Sequence, residues 1–329
     1  LDLQLPRCVI WIFDVQTNGA TWWMANSEDP ENPINCEVPY NAYEPYLIFL
    51  EQWKKKTIKF QYELKGKIKK DWDKYLFNKT GLSRLPDFVI AGMKAPECVL
   101  LTASFNNFGA VNTASLKPLS DKHTDIMLRF AKVFDLTYTR FNDLKQAEAS
   151  AREAKIEAAL ERVRGKAMAM HNSNDVSVGA SMVFSELRKL GINPIRCGVG
   201  LLNKESRKAQ LYSATSSDDA DSLSLVGWVM LKGHPVLENT YEAWLKKEDY
   251  YPELTGAQLK SYYENLLGGL SLPIVPNSET GEKQYGHFFS FSAGCLYTWS
   301  DRHYNDSEIR ILKRFAGIID LTFRRYLDL

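Results

Sequence analysis

The chain has 329 residues, 41 Lys plus Arg against 40 Asp plus Glu, and 45% hydrophobic residues, a size that suits two domains of roughly 150 residues each. That charge balance leaves no overall field to attract nucleic acid or an anionic membrane, or to steer a strongly acidic substrate. No apolar run approaches the ~18 residues a membrane span requires, and five cysteines, an odd number without close paired spacing, fit a reducing compartment such as the cytoplasm.

A first strand is expected over Cys8 to Val15, then a turn rich in Asn and Gly and a short strand holding Thr21-Trp22-Trp23-Met24; the pair reads as a hairpin. Helical stretches follow around Tyr46 to Lys55 and Lys67 to Phe77, and late strands at Val99 to Phe105 and Phe108 to Thr113. A closing helix begins near Ser120 and Asp121 and has no stop signal: residues 121 to 170 contain no proline and one glycine, Gly165. At 1.5 Å per residue such a helix of about 50 residues is roughly 75 Å long. Phe130, Phe134, Thr137, Phe141, Leu144, Ala147, Ala151, Ala154 and Ala158 recur along it at three- and four-residue steps, a seam that asks for a partner helix. Alanine buries little area, so Phe130, Phe134 and Phe141 should contribute most to any dimer.

Another helical stretch, Val178 to Leu190, ends at Gly191, a natural terminator. The layout then starts again. Strands are expected at Ile195 to Leu202 and Gln210 to Ser213, helices at Leu237 to Lys247 and Ala257 to Leu267, and late strands at His287 to Phe291 and Cys295 to Trp299. In the last helix Asn305 can cap, with Glu308 three residues on to return a bond to the cap backbone.

This second pass is a copy of the first. Arg129 to Leu144 reads RFAKVFDLTYTRFNDL and Arg314 to Leu329 reads RFAGIIDLTFRRYLDL, identical at nine of sixteen positions at an offset of 185. Gly109 falls on Gly294 at the same offset, Arg7-Cys8 on Arg196-Cys197 at 189, and Gly66 on Gly256 at 190. Small changes of offset at loops are what surface insertions produce. Strands at both ends of a unit with helices between them imply an α+β fold, each copy a central antiparallel sheet flanked by helices. The expected organisation is a first domain over 1–145, its leading helix missing, a connecting helix over 121–171, and a second domain over 172–329. The simplest account is that the chain is the sensory portion of a longer protein.

The arrangement resembles a tandem of GAF-type sensory domains. The connector AEASAREAKIEAALERVRGKAMAMHNSND (Ala147 to Asp175), followed by VFSELRKLGINPIRCGVGLL, is similar to GAF-like regions of Bacteroidetes signalling proteins, with Glu161 to Arg164 and Ala167 to His171 as its specific strings. Such regions commonly precede histidine kinase or DNA-binding output modules. The resemblance implies a sensory role and a homodimer, and brings no established ligand or cofactor.

Chemistry is thin. The five histidines stand in no metal-ligand spacing with each other or with cysteine, so no metal site is expected, and there is no P-loop, kinase loop, Rossmann glycine run or HExxH string. Cys8 and Cys197 lie in strands, where burial is expected; Cys36, in an expected loop, is the best-placed thiol for reactivity. A small-molecule pocket would lie between the sheet and the middle segments. There the second copy offers Tyr212, Trp228, His234, Trp244, Tyr285 and His287, and the first Trp22, Trp23, Tyr40 and Trp53; core packing is the competing explanation for these aromatic side chains. The connector residues proposed for association are Phe130, Phe134, Phe141, Leu144 and Ala151. Three functions remain: a non-catalytic sensor signalling through a dimeric helix to an output domain, a redox or hydrolytic enzyme in one copy, and a dimerisation scaffold without ligand. No direct contact with nucleic acid or membrane is expected.

Overall fold

A computed structural model describes residues 7–26, 29–168, 173–217, 220–267 and 283–327. The chain divides into two compact units, 1–147 and 148–329. In the first, β1 (Arg7–Phe13), β2 (Ala20–Asn26), β3 (Asp29–Val38), β4 (Lys59–Lys65), β5 (Cys98–Phe105) and β6 (Gly109–Ser115) form one antiparallel sheet in the order β3-β2-β1-β6-β5-β4. Helices α1 (Glu44–Lys54), α2 (Gly66–Lys79) and α3 (Asp87–Lys94) lie between β3 and β5 in sequence. α4 (Asp121–Met168) follows β6 and continues for 48 residues, through Gly165. The residues Ala169 to His171 of the expected connector lie outside the described set.

The second unit opens with α5 (Ser173–Lys189) and builds its sheet from β7 (Arg196–Asn203), β8 (Lys208–Ser217), β9 (Ala220–Met230), β10 (Glu253–Leu254), β11 (Gln284–Phe291) and β12 (Gly294–Ser300). The order is β9-β8-β7-β12-β11-β10, the same path as in the first sheet. Helices α6 (Pro235–Lys246) and α7 (Gly256–Leu267) occupy the places of α1 and α2, and α8 (Asp306–Leu327) closes the unit. The architecture is therefore two α+β modules of one topology, linked by the long helix.

The conserved letters of the repeat have structural causes. A Cβ on Gly109 would stand 1.9 Å from the Trp11 carbonyl oxygen, and one on Gly294 1.8 Å from that of Gly200; no other residue allows that approach of two strands. Asp135 accepts from the Asn107 backbone N–H (3.0 Å) and side-chain amide (2.8 Å), and Asp320 accepts from the Ser292 N–H (2.9 Å) and hydroxyl. Each aspartate thus ties the closing helix to the turn between the two late strands. Trp53 and Trp244 both donate their indole N–H to carbonyls beside that turn, on Asn107 and Phe291. Asn305 and Glu308 exchange the expected bonds (3.0 and 2.9 Å), and the Arg302 guanidinium grips the Glu308 carboxylate from the other side.

Both faces of the second sheet are used. In the second unit α5 covers one face, burying Val183, Phe184 and Leu187 against Cys197, Val199 and Tyr212, and Ile156, Leu160 and Val163 of α4 join the same core with Ile311, Leu312, Phe315 and Ile318 of α8. Glu186, buried in this layer, is bridged by Arg162 (2.6 Å) and Lys189 (2.9 Å), and its pKa is held down chiefly by the bond from Arg162. Arg314 of α8 reaches Glu153 and Glu157 of α4. In the first unit the equivalent helix face is open: Phe130, where α8 has Phe315, is 58% exposed against 0%, and Val133, where α8 has Ile318, is 61% exposed against 6%.

Three features differ from expectation. The third strand of each module, the strand or bridge before the second middle helix, and α3 give no clear sequence signal. β3 carries two prolines, which only an edge strand tolerates, and edge strands need no long alternating pattern. Consequently Cys36 lies in β3, opposite Trp22, and is buried rather than in a loop; burial raises its pKa, with Arg84 opposing.

Candidate functional site

The second face of each sheet, under the middle helices, encloses a cavity in each module. Strand alternation decides what can reach it. On β7, Cys197 and Val199 turn toward α5 while Arg196, Gly198, Gly200 and Leu202 turn the other way. The register Val199↔Tyr212 and Cys197↔Thr298 carries the same parity across the sheet.

The second-module cavity is walled by Leu202, Leu211, Val229, Leu231, Leu237, Leu266 and Phe288, with Arg196, Ser213, Thr240, Tyr262 and Tyr297 as its polar members. It offers about 30 Å³ to the centre of a water-sized sphere. It is the smaller of the two cavities. Gly198 makes room on the strand, since a Cβ there would stand 2.5 Å from the Tyr297 hydroxyl.

Arg196 dominates the electrostatics. It is 6% exposed, its guanidinium carbon lies 4.9 Å from the centre of the Tyr263 ring, and Nη2 donates to Tyr263 Oη at 2.6 Å. Tyr263 in turn donates to Gln284 Oε1 at 2.7 Å, so a buried relay runs from β7 through α7 to β11. Burial opposes the charge and the phenols of Tyr263, Tyr262 and Tyr297 favour it, with a net upward shift. Among the described residues no carboxylate pairs with Arg196. Its Nε is buried without a hydrogen-bond partner, and the Ser213 hydroxyl faces the Tyr297 phenol. Burial raises the Tyr297 phenol to about 12, against the opposing pull of Arg196, and the Cys295 thiol to about 12.

The first-module cavity is larger, about 90 Å³ by the same measure, and is lined by Arg7, Trp11, Trp22, Lys69, Trp72, Asp73 and Asn112 among others. Trp11 and Trp22 stack at 4.2 Å. Lys69 is buried and donates to Asp73 and to the Met93 carbonyl; burial raises the Asp73 pKa, with Lys69 and Lys94 opposing. The two modules compare position by position here. Gly66 and Gly256 open their helices with φ of +59° and +49°, and from that anchor Lys69 corresponds to Leu259 and Asp73 to Tyr263. Where the first module keeps an ion pair beside its arginine, the second has an apolar side chain and a phenol.

The six residues proposed from sequence in the second module do not converge. Tyr212, Trp228, Tyr285 and His287 project from the α5 side of the sheet, opposite the cavity, while His234 and Trp244 belong to α6. Tyr212 is packed in the α5 core and Trp228 is exposed. Tyr285 lies 4.0 Å from His303, and His287 lies 4.4 Å from Tyr304 and is pushed down to about 4 by burial and then by His303. His234 caps α6, its Nδ1 accepting from the Val236 N–H, and burial lowers its pKa. None of the six lines the cavity. In the first module Trp22 lines its cavity, Trp23 and Tyr40 are exposed, and Trp53 is half-buried. Arg196 had one sequence signal: the Arg-Cys pair opening both first strands, an arginine leading an otherwise apolar strand.

Of the connector residues, Phe130, Phe141 and Leu144 are exposed, as is Ala151, and Phe134 is half-buried against Tyr138 at 5.3 Å. Among the described residues no group of three or more His, Cys, Asp or Glu is placed to hold a metal ion, and no helix is long and apolar enough to cross a membrane.

Neither a protein-family model nor a curated protein sequence matches the chain. Among solved structures, residues 122 to 287 of a methyl-accepting chemotaxis protein align at 11% identity with a TM-score of 0.31, covering 51% of this chain and 96% of that one. Bacteriophytochrome RpBphP3 from the photosynthetic bacterium R. palustris aligns at 12% identity with a TM-score of 0.30, covering 98% of this chain and 69% of that one. Likenesses at this level carry no argument about function; the two matched modules of the chain itself do.

Proposed function

We propose that this chain is a non-catalytic sensory or regulatory region, with GAF-like domains over 1–145 and 172–329 and a connecting helix over 121–171. In this reading a small molecule or partner acts on one module, and the signal passes through a dimeric helix to an output domain of a longer protein. The observation that carries it is the uneven coverage of one repeated helix face. Phe315 is enclosed by helices of its own module, while Phe130, at the same repeat position, is 58% exposed, with Val133, Phe141 and Leu144 exposed beside it. Large apolar side chains clustered on one helix face favour a partner, and a second copy of the same helix supplies a matching seam. Signalling then requires two arrangements of the helix pair whose populations the bound molecule shifts.

The absence of catalysis is supported by the state of the thiols: burial raises Cys197 and Cys295 to about 12, far from the thiolate a redox or nucleophilic step needs. Solution mass by light scattering tests the seam. The wild-type chain should be a dimer and Phe130→Glu/Phe141→Glu a folded monomer; a variant that remains dimeric removes the helix from the mechanism.

A further inference from the structure

We propose that the second-module cavity binds a small monocarboxylate with a short apolar tail, its charge taken by Arg196 and its tail by Leu211, Val229, Leu237 and Phe288. This deepens, and rests on, the sensory reading above.

The first premise is the cost of a buried charge. A guanidinium carries five N–H donors and does not deprotonate in proteins, so enclosing it without an anion is expensive. Among the described residues Arg196 donates to one phenol, Tyr263, and its Nε is left over. The Ser213 hydroxyl, which faces Tyr297, lines the same cavity. Nε and a terminal nitrogen form the planar fork that a carboxylate fills with two parallel bonds.

The second premise comes from the duplication. The first module places Lys69 and Asp73 at the positions of Leu259 and Tyr263, and the two pair with each other. The second module has given up both charges and kept the arginine. Its cavity therefore presents one cation among apolar and hydroxyl-bearing side chains, with no carboxylate in the lining.

Size and polarity narrow the class. The cavity is small, about 30 Å³ against about 90 Å³ in the first module, which limits the ligand to a short chain. A phosphate ester would bring a second negative charge, which the single arginine does not balance. A free amino group would find no carboxylate among the residues that line the cavity.

The test is titration of the intact chain with sodium butyrate and sodium propionate at constant ionic strength, read by calorimetry and thermal midpoint, with butyramide, butylamine and sodium chloride as controls. Butyrate should bind saturably and raise the midpoint, while butyramide, butylamine and chloride should not. Arg196→Met should weaken butyrate on the order of a hundredfold, the loss of two charge-assisted bonds. If that variant does not fold, Leu237→Phe serves instead: filling the tail space should weaken butyrate severalfold more than acetate.

Binding undiminished in Arg196→Met, equal binding of butyramide, a match by chloride, or no saturable binding of either acid each overturns the assignment. Dimer mass measured on the same samples separates the two levels. Loss of ligand with the helix dimer intact sinks only the carboxylate, whereas a monomeric wild type sinks the sensory reading.

Discussion

Phe130 and Phe315 are one residue of the repeat in two environments, and truncating each should separate them sharply. Phe315 is completely buried in the core that α4, α5 and α8 share with the sheet. Phe315→Ala removes its transfer free energy and leaves a cavity that a close-packed layer cannot refill, about 3–5 kcal/mol in all. Phe130 is 58% exposed, so in an isolated chain only two-fifths of a transfer term of about 2 kcal/mol is at stake, and Phe130→Ala should cost about 1 kcal/mol. Because two modules need not unfold together, hydrogen exchange by mass spectrometry is the appropriate assay. Peptides of β7, α5 and α8 should lose protection in Phe315→Ala, and those of β1 and β6 should change little in Phe130→Ala. The experiment has a second axis. If the helix seam forms, the Phe130→Ala penalty should grow with protein concentration, since association then buries the ring. Equal losses in dilute samples would refute the burial argument, and a concentration-independent penalty at Phe130 would count against the seam.

The aspartates that tie helix to turn should behave alike in both modules: Asp320→Ala and Asp135→Ala each remove charge-assisted bonds and should cost about 1–3 kcal/mol, seen as faster exchange at Ser292 or Asn107. His287 makes stability depend on pH. Its folded pKa is about 4 against an ordinary 6.5, because burial, His303 and the lack of a strong acid partner disfavour the charge, with Glu308 and the Tyr285 backbone opposing. Between those values the unfolded chain binds the proton and the folded one does not, so stability should fall as pH drops from about 6.5 toward 4, by on the order of 2 kcal/mol. Urea midpoints at pH 7 and 5 should converge in His287→Gln; an unchanged pH slope would exclude this histidine as the cause.

Much of the architecture could be read from the letters because the repeat repeats its constraints. Gly109 with Gly294 and Asp135 with Asp320 survive in both copies since each answers a backbone contact that tolerates no substitute, and the Asn305–Glu308 cap forms from neighbours in sequence. β3 escaped because an edge strand can be built from Asp, Glu, Asn and Pro. The cavity escaped for a different reason. Aromatic richness points to Tyr212 and Trp228, but both share the parity of Val199, which faces away from the middle helices. Arg196 owes its character to Tyr263, 67 residues distant, and to the charges missing beside it. Local spacing contains neither fact; only the alignment of the two copies through Gly66 and Gly256 carries the second.

The long helix has a practical consequence for anyone wishing to study the second module alone. Its far half is an interior part of that module: Ile156, Leu160 and Val163, with Ala159 and Ala167, lie in the same core as α5 and α8. A fragment beginning at Asn172, after the rod, would lose three large side chains at roughly 2 kcal/mol each, a deficit as large as the whole stability of many domains. Trimming should therefore stop near Glu148, and no cut in the chain yields two tidy halves without severing a helix.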